Sequence, residues 1–279
     1  MLKTKHKIAM VQVAQSAVMR GRRALGKTAV TRARRLGVNW ELDLSEGIDF
    51  AIWLTAAFEL ETVRAYKRMI RSGDVVLDIG ANIGAHTLHL AQAAGASGRV
   101  IAFEPTDWAF AKLLRNCALN PELERRIECN QVMLVADEAK DVPPPQIYSS
   151  WPLSEGDNLH QLHGGQLKTT HGARARTLDG FLRERKVDRV DFVKLDIDGF
   201  ECSMLRGAKE TLSRSRPRMI MELAPYALAE QGASIHELIA LLREYGYRLS
   251  KLSGQPLTLD AALFDRTIPA GASMNVIAI

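Results

Sequence analysis

Short apolar runs alternate with amphipathic segments over most of the chain, from residue 73 to its end. The runs have strand length, and most are continuous rather than alternating with polar residues, which is typical of strands covered by helices on both faces of a sheet. They lie within residues 74–80, 98–105, 127–136, 188–199, 216–225, 235–252 and 274–279, the sixth directly after a helical pattern in the same segment. Alternating strands and helices predict an α/β fold with a doubly wound, mostly parallel, seven-stranded sheet.

Two segments depart from this alternation and predict the domain organisation. Residues 36–50 have the pattern of a short hairpin and residues 56–70 that of an amphipathic helix, so residues 38–72 are predicted to form an accessory hairpin and helix. Residues 137–172 are rich in Pro, Gly, Ser and His, and a loop of this length in a compact domain is usually a lid, a binding loop or a disordered segment. The main domain is predicted over residues 73–279, with this lid or substrate loop inside it.

The positive charge of the chain is concentrated in its first 40 residues. The formal net charge is +5, and ten of the 37 Lys and Arg residues fall within residues 1–40, which contain no Asp or Glu. The remaining 27 basic residues face 32 acidic ones, so the rest of the chain carries a net charge of −5. Residues 1–37 are predicted to form a basic helical arm, either packed as a solvated helix on the main domain or in contact with acidic lipid, nucleic acid or an acidic partner.

The composition favours a cytoplasmic protein. No run of about 18 apolar residues occurs, and the segment IAMVQVAQSAVM carries glutamines and is followed by RGRR where a signal peptide would have small residues. The three cysteines form no CxxC pair, and their odd number favours a reducing compartment over a disulfide scaffold. Peripheral membrane contact through the basic arm is the alternative location.

The segment VVLDIGANIGAHTLHLA, residues 75–91, ends a predicted strand with an acid and continues through two glycines into a helix. In doubly wound sheets, ligands bind beyond the carboxyl ends of the strands, where the strand order switches. Gly80 is expected to let the backbone approach a ligand, and Gly84 to let the helix begin close to the strand. Asp78, Gly80, Asn82 and Gly84 are therefore candidate cofactor-binding residues.

Three ligand classes compete for this motif. A Walker phosphate loop needs GxxxxGK[ST], and no Lys follows here. A dinucleotide site needs GxGxxG, but Asn82 replaces the central glycine and Ala85 the last. S-adenosylmethionine has no phosphate. Asp78 suits its ammonium group, directly or through water, and free amides of the Gly80–Gly84 turn suit its carboxylate.

A second acid supports S-adenosylmethionine as the cofactor. Glu104 ends the second predicted strand, 24 residues after Gly80, where a carboxylate can accept hydrogen bonds from both ribose hydroxyls. Asp137, directly after the third predicted strand, is a further candidate for the cofactor site. The pairing of the glycine turn with a strand-terminal Glu is more specific than either motif alone.

Several segments resemble the FkbM family of S-adenosylmethionine-dependent methyltransferases, over roughly residues 38–225. They are GDVVLDIGANIGAHTL, GRVIAFEPTDWAFAKLLRNCALN, ARTLDGF and VDFVKLDIDGFECSMLRGAKETL followed by RPRMIMEL. Family members typically show Lys-x-Asp-x-Glu-Gly-x-Glu, and this chain has Asp198 at the first Glu position, which keeps the charge on a shorter side chain. The resemblance implies a Rossmann-like class I methyltransferase fold and O-methylation of a hydroxyl on a sugar, glycolipid or polyketide-type natural product.

Three residues are candidates for the group that takes the proton of the acceptor hydroxyl. Lys194 and Asp196 have the same parity in the fourth strand, so they are expected to share one face and to form a buried ion pair. Asp196 lies near the carboxyl end of that strand and is the first candidate for a catalytic or substrate-positioning role. Glu222, at the end of the fifth strand, is the second. His86 is the third. The alternative role for His86 is that of a partly buried helix residue near the cofactor.

The long loop carries further side chains suited to an acceptor. His160, His163 and His171 lie close together in sequence, but a metal site needs three or four fixed ligands, and no metal site is predicted. Contact with an acceptor through a mobile lid is favoured. Tyr148 and Trp151 are expected either to stack on a sugar or ring face or to pin the loop to the core.

One motif also indicates whether the methyl group goes to oxygen or to nitrogen. The segment VPPPQIY is similar to the Pro-Pro-aromatic signature of amino-group methyltransferases. That signature belongs at the end of the fourth strand, where this chain has LDIDG. Methylation of a base amine or a protein amide is therefore disfavoured.

Three alternatives to an O-methyltransferase stay open. An NAD-dependent oxidoreductase is opposed by the incomplete GxGxxG. A nucleic-acid-binding protein, with or without methyl transfer, would use the basic arm, but the acidic remainder argues against a broad phosphate-binding face. A catalytically silent protein would bind the cofactor only for stability. The expected partner is a small-molecule or glycolipid acceptor rather than nucleic acid.

Overall fold

The structure is a computed structural model, and it describes residues 4–153 and 159–279. The helices are α1 Thr4–Ala24, α2 Gly47–Thr55, α3 Leu60–Met69, α4 Thr87–Ala94, α5 Asp107–Ala118, α6 Pro121–Glu124, α7 Leu178–Glu184, α8 Glu201–Arg206, α9 Lys209–Ser215, α10 Pro225–Glu230, α11 Ile235–Glu244 and α12 Ala261–Thr267. The strands are β1 Val30–Arg35, β2 Val38–Asp43, β3 Val75–Ile79, β4 Arg99–Phe103, β5 Ile127–Asn130, β6 Val132–Leu134, β7 Gln146–Ser150, β8 Gln166–Thr169, β9 Arg174–Arg176, β10 Phe192–Leu195, β11 Arg218–Leu223, β12 Leu249–Lys251, β13 Pro256–Leu257 and β14 Met274–Ala278.

One large sheet organises the molecule. Its strand order is β13-β12-β14-β11-β10-β3-β4-β5, with β11, β10, β3, β4 and β5 parallel and the other three strands antiparallel. This confirms the predicted doubly wound, mostly parallel α/β fold. The sheet has one strand more than predicted, because a turn at Gly254 (φ +88°) folds Pro256–Leu257 back onto β12.

The continuous apolar runs are explained by helices on both faces of the sheet. Consecutive strand residues point to opposite faces. Leu77 accordingly packs in a cluster with Met204 of α8 and Leu238 of α11. Val76, its neighbour, packs in a separate cluster with Tyr66 of α3. Both faces must therefore be apolar along the whole strand.

The strand order switches beside β3. From β3 the chain builds outward through β4 and β5, then crosses back to place β10 and β11 on the other side of β3. Because the five strands are parallel, their carboxyl ends meet at one edge of the sheet. This edge brings together Asp78 on β3, Glu104 after β4, Asp196 after β10 and Glu222 on β11.

The third predicted strand, residues 127–136, is divided in the structure. Its first part, β5, pairs with β4 at the edge of the large sheet, whereas β6 pairs with β9 in a separate two-stranded sheet. The division falls at Gln131, whose side-chain amide donates to the carbonyl of His171 at 2.9 Å. The change of partner is hidden in the sequence, because residues 127–136 contain no Gly or Pro and both pieces are extended.

The N-terminal segment forms a helix and a hairpin that cover one side of the sheet. Helix α1 packs Val11, Ala14 and Val18 against a cluster that contains Trp40 of β2. The hairpin β1–β2 turns at Leu36–Gly37, where both residues have positive φ (46° and 82°), as tight two-residue hairpin turns require. Its first strand therefore comes from the segment predicted as part of the arm. Among the described residues, no helix is long and apolar enough to cross a bilayer.

The segment 137–172 contains an antiparallel hairpin, β7–β8, next to the edge described above. Residues 154–158 lie outside the described part of the chain. The chain just before them is tied to the N-terminal segment, because the amide of Gly47 donates to the carbonyl of Trp151 and the amide of Leu153 donates to Ser45, both at 2.8 Å. The predicted lid is thus attached to the accessory elements by main-chain hydrogen bonds.

Candidate active site

A cavity of about 450 Å³ opens at the carboxyl edge of the sheet. Its walls come from the glycine turn after β3, the ends of β4, β10 and β11, the lid hairpin and the accessory segment. Of the predicted site residues, Gly80, Asn82, His86, Glu104, Asp196 and Glu222 line it. Asp78 and Gly84 lie behind its wall, and Asp137 lies elsewhere.

The glycine turn is shaped by close packing within the protein. A Cβ on Gly80, which has φ +88°, would lie 1.7 Å from the carbonyl oxygen of Asp196. No side chain fits there, so the glycine is required by the approach of β10, not only by a ligand. A Cβ on Gly84 would lie 3.0 Å from Leu113 of α5, and the nearest atoms belong to α5 and α4 rather than to the strand, so this glycine lets the turn before α4 approach α5.

The expectation that the turn offers free amides is wrong. The amides of Gly80 and Ala81 both donate to the carbonyl of Phe103. The remaining three amides of the turn donate to Glu104 Oε2, Asn82 Oδ1 and the carbonyl of Ala81. The next two amides, those of Ala85 and His86, have no acceptor among the described residues, and both residues line the cavity. Among the described residues, the donors of this segment without a protein acceptor therefore lie at the amino end of α4 and not in the glycine turn.

Asp78 is fully buried beneath the turn. Its Oδ2 accepts a hydrogen bond from Thr87 Oγ1 at 2.6 Å, and its Oδ1 has no partner within the described chain. Burial raises the pKa of Asp78, although Lys194 and His86 oppose that shift. Direct contact with a ligand ammonium, one of the two predicted modes, is not available to a side chain behind the cavity wall.

Glu104 is held rigidly at the tip of β4. Its Oε2 accepts from the amide of Asn82 at 3.0 Å, and its Oε1 accepts from the amide and the hydroxyl of Thr106 at 2.9 and 2.5 Å. Burial raises the pKa of this carboxyl, and the bonds from Thr106 and Asn82 oppose the shift. Asn82 in turn donates its side-chain amide to the carbonyl of Ser149 on β7 at 2.9 Å. The glycine turn, Glu104 and the lid hairpin thus form one connected network.

Three carboxylates gather on the opposite side of the cavity. Lys194 Nζ, which is 1% exposed, donates to Asp196 Oδ2 at 2.5 Å, so the predicted ion pair is present. An oxygen from each of Asp196, Asp198 and Glu222 lies within 4.8 Å of the others. Burial, and then the charge of Asp196, raise the pKa values of Asp198 and Glu222 well above their usual range.

His86 lies beside an acid that the sequence did not single out. Its Nε2 is 3.6 Å from Glu59 Oε2, and both ring nitrogens are buried without a hydrogen-bond partner in the described part of the chain. Asn275 donates to the same Glu59 oxygen at 2.9 Å. Burial alone would raise the pKa of Glu59, but His86 and then Lys194 outweigh it and hold the value at about 2.

Aromatic side chains from the lid form the outer wall. Tyr148, Trp151 and His163 line the cavity together with Tyr226 of α10. The ring of His163 stacks on that of His160 at 3.9 Å and lies 4.8 Å from Tyr148. His171 is exposed and does not join this group.

The histidine group includes an acid, but its hydrogen bonds disfavour metal binding. Ligand atoms of His160, His163 and Glu230 lie within 4.8 Å of one another. However, Nδ1 of His163 accepts from the amide of Gly165 at 3.1 Å, and Nδ1 of His160 accepts from that of Leu162 at 3.3 Å. In a neutral ring the proton is then on Nε2, where a metal would need a lone pair. His160 Nε2 instead faces Glu230 at 3.1 Å.

Asp137 is a predicted site residue that the structure does not bring to the cavity. It follows β6, in the small sheet, and its side chain is 41% exposed. It accepts from Lys140 at 2.8 Å and from the amide of Ala139 at 3.0 Å. The division of the third predicted strand is the reason, because the strand that should have carried Asp137 to the ligand edge ends at Asn130.

Sequence reasoning missed Glu59, Tyr226 and Glu230 as lining residues. Glu59 precedes α3 in a left-handed conformation (φ 47°), which no spacing rule reveals. Tyr226 follows Pro225 directly after β11, so the Pro that begins a helix beyond Glu222 was the available signal.

The fold and the cavity together define a class I S-adenosylmethionine-dependent methyltransferase domain. The strand order switches beside β3, and the cavity lies there, with an acid at the tip of the next strand. The chain belongs to the FkbM methyltransferase family, because the model described as "Methyltransferase FkbM domain" matches residues 78–249. The cofactor is S-adenosylmethionine.

Similarity to individual proteins is more distant. The AMB antimetabolite synthetase AmbE of Pseudomonas aeruginosa PAO1 is 26% identical in an alignment of 207 residues that covers 63% of this chain. The chain spans 10% of the length of that relative. Among solved structures, the methyltransferase FkbM of Methylobacillus flagellatus KT is 17% identical, with a TM-score of 0.47 over 80% of this chain and 48% of that one. Aeropyrum pernix fibrillarin in complex with S-adenosyl-L-methionine is 14% identical, with a TM-score of 0.44 over 90% and 82%.

Proposed function

We propose that the protein is an O-methyltransferase that uses S-adenosylmethionine to methylate a hydroxyl of a sugar, a glycolipid or a polyketide-type natural product. The observation that carries this proposal is the position of Asp196. It lies at the end of β10, in the same cavity as Glu104, and the buried Lys194 holds one of its two oxygens. A carboxylate oxygen is thus available on the acceptor side of the cavity.

The cavity walls suit S-adenosylmethionine better than a dinucleotide. Glu104 is placed to accept hydrogen bonds from the ribose hydroxyls, since each of its oxygens can accept more than one bond. The amides of Ala85 and His86 are placed for the amino-acid carboxylate. Among the described lining residues Lys194 is the sole Lys or Arg, and Asp196 already neutralises it, so a diphosphate would meet no cation.

The reaction needs a group that accepts the hydroxyl proton. S-adenosylmethionine, when bound, supplies a methyl group activated by a sulfonium. Asp196 takes the acceptor proton on the oxygen that Lys194 does not hold, and Lys194 fixes the carboxylate and balances its charge. Glu222 is a weaker base candidate, because burial and the charge of Asp196 raise its pKa in a cavity without a cationic ligand. The ring nitrogens of His86 are buried beside Glu59, so His86 is placed for the cofactor side.

Oxygen rather than nitrogen is the proposed acceptor atom. The end of β10 carries acidic side chains and a glycine in place of a Pro-Pro-aromatic motif. The proline run does reach the cavity through Pro144, but it does so from the lid before β7. A planar amine held between prolines at the end of β10 has no counterpart here.

The test is methyl transfer from S-adenosylmethionine labelled in its methyl group. Purified protein would be incubated with sugars, glycolipids and macrolides, with S-adenosylhomocysteine as inhibitor control. We expect alkali-stable label on a carbon-bound oxygen, assigned by the methyl chemical shift in the product. Label on nitrogen, or binding of NAD with no binding of S-adenosylmethionine, would contradict the proposal.

We also propose that the N-terminal segment contacts anionic membranes. Helix α1 contains no acidic residue, and the turn after it exposes Leu25 (72%) beside Arg23 and Lys27. A cationic tip with an exposed apolar residue suits an anionic bilayer surface. Vesicles containing phosphatidylglycerol should sediment the protein, and pure phosphatidylcholine vesicles should not. Equal sedimentation with both, or no loss of binding in Arg23→Glu compared with the exposed Arg125→Glu, would contradict this contact.

A further inference from the structure

We infer that the acceptor carries a protonated amine close to the hydroxyl that is methylated. This inference rests on the proposed function, because it concerns the acceptor side of the same cavity. It follows from the charges that line the cavity, from their partners within the protein, and from the aromatic side chains around them.

The cavity has far more acidic than basic lining residues. Within the described residues, its acidic lining side chains are Glu59, Glu104, Asp196, Asp198, Glu222 and Glu230. Lys194 alone among the lining residues is Lys or Arg. A bound S-adenosylmethionine adds one net positive charge at its sulfonium, which leaves most of the acidic excess in place. Anionic acceptors, such as phosphorylated sugars, are therefore disfavoured.

Most of these carboxylates have partners within the protein. Glu104 accepts from backbone amides, and Glu59 from Asn275. Asp196 pairs with Lys194, and Glu230 lies beside His160. Two acids have no cationic partner: in residues 4–153 and 159–279, no Lys, Arg or His lies within ion-pair distance of Asp198 or Glu222, although the Ser273 hydroxyl lies beside Glu222. Both line the cavity, so a ligand can reach them.

The spacing of the carboxylates suits an ammonium group. Oxygens of Asp196, Asp198 and Glu222 lie within 4.8 Å of one another. An ammonium has three N–H donors, and with N···O distances of about 2.8 Å it can bridge oxygens about 4 to 5 Å apart. Asp196 is one of these three carboxylates and is also the proposed base. The amine would therefore lie next to the hydroxyl that loses its proton.

Aromatic rings provide an independent indication of a cationic ring-shaped ligand. Burial raises the pKa of the Tyr226 hydroxyl, and the charges of the nearby Glu222 and Asp198 raise it further. Tyr148, Trp151 and His163 line the same cavity from the lid. Aromatic faces attract cations and cover the apolar face of a sugar ring, and a neutral acceptor would use only the second of these interactions. An amino sugar, or another ring with an amine beside a hydroxyl, would pair with the carboxylates and stack on the aromatic side chains.

The experiment compares matched acceptors that differ in charge at one position. Hexosamines with the amine at C2, C3, C4 or C6 would be compared with their N-acetyl, hydroxyl and phosphate counterparts. Acceptor affinity would be measured with S-adenosylhomocysteine bound to the protein. Methyl transfer would be measured with labelled S-adenosylmethionine. We expect at least about tenfold tighter binding and higher kcat/KM for an amine than for its N-acetyl partner, and no use of the phosphate. Equal use of the series, or no binding of any amine, overturns the inference.

Protein variants make the interpretation specific. Asp198→Asn should reduce the preference for the amine over its N-acetyl partner by about tenfold, and Glu184→Gln, an exposed surface change, should leave it unaltered. The preference ratio would not move if Asp198 were merely structural. If methyl transfer required Mg²⁺ or Mn²⁺, and neutral acceptors were then used as well as amines, a metal ion would neutralise the carboxylates and the inference would be wrong. Binding of S-adenosylmethionine and label on oxygen of a neutral acceptor would leave the proposed function standing without the amine.

Discussion

The cofactor side and the acceptor side of the cavity satisfy their polar groups in opposite ways. On the cofactor side, every amide of the Gly80–Gly84 turn and both oxygens of Glu104 have protein partners before a ligand is present. On the acceptor side, Asp198 and Glu222 have no cationic partner among the described residues, and burial raises their pKa values. The first side is preorganised by the fold, whereas we propose that the second is completed by a ligand.

This difference has a physical basis in what each side must bind. A cofactor of constant shape is bound best by groups whose positions the fold already determines, because little ordering remains to be done on binding. Uncompensated carboxylates cost free energy in the unliganded protein and recover it only with a ligand of matching charge. Stability should therefore be most sensitive to changes on the cofactor side, and turnover to changes on the acceptor side.

The largest effect is expected for Gly80→Ala. Because the new Cβ would overlap the carbonyl of Asp196, the turn or β10 must shift, and we expect a loss of more than about 3 kcal/mol in the free energy of unfolding. Binding of S-adenosylmethionine should be undetectable by calorimetry. Gly254→Ala is the matched control, since Gly254 has the same φ of +88° with no atom within 4 Å of the new Cβ, and should cost only about 1–2 kcal/mol. Equal melting temperatures for the two variants would contradict close packing at Gly80.

The next largest effect is expected on turnover, for Asp196→Asn. Loss of the proposed base should lower kcat by about 10²–10⁴-fold, while the dissociation constant of S-adenosylmethionine changes by less than about threefold. The exposed Asp188→Asn in the segment before β10 should behave as wild type. Because the buried Lys194 loses its ion-pair partner in this variant, a thermal melt is needed to check that the variant is folded. Unchanged kcat would exclude Asp196 as the base.

A smaller effect, measured on affinity for the cofactor, is expected for Glu104→Gln. The new amide group would face either the amide of Asn82 or that of Thr106, and the ribose would lose a charged acceptor. Affinity for S-adenosylmethionine should fall by about 10- to 100-fold, in line with about 1.5–3 kcal/mol for a charged hydrogen bond. Glu122→Gln, with a side chain that is 78% exposed, is the control for calorimetry. Wild-type affinity in Glu104→Gln would mean that the ribose lies elsewhere.

A comparable effect, spread over several pH units, is the pH dependence of stability that Glu201 contributes. Its Oε1 accepts from the amide of Ile197, in the turn that carries Asp198, and burial raises the pKa of its carboxyl to about 7. An acid with a raised pKa in the folded state adds stability that is complete below its unfolded value near 4.5 and is lost as the pH rises through about 7.

The measurement is the melting temperature of wild type and Glu201→Gln between pH 4.5 and 8. Wild type should lose about 2–3 kcal/mol relative to the variant over this interval, because Gln cannot ionise but keeps the acceptor oxygen. Groups distant from Glu201 titrate alike in both proteins and cancel, whereas Asp198, whose pKa the charge of Glu201 raises, adds to the difference. Parallel curves would show that Glu201 does not change its protonation on unfolding.

Local patterns in the sequence predicted many of the residues on the cofactor side. Continuous apolar strands and their terminal acids located Asp78 and Glu104, and parity along β10 predicted the contact between Lys194 and Asp196 that the structure confirms. These inferences work because strand periodicity and the parallel arrangement act over a few residues and then repeat. The same reasoning misplaced Asp137, because the pairing of β6 with β9 depends on a partner about 40 residues away.

The sequence by itself determined the α/β architecture, the edge at which a ligand binds and the acids that end its strands, since each follows from local spacing and from the rules of parallel sheets. Only the tertiary structure decided that the amides of the glycine turn are occupied while those of Ala85 and His86 have no acceptor in the described part of the chain, and that Glu59, Tyr226 and the lid share one cavity with Asp196. Those contacts join residues far apart in the chain, through turns and left-handed positions whose geometry depends on packing against the rest of the molecule.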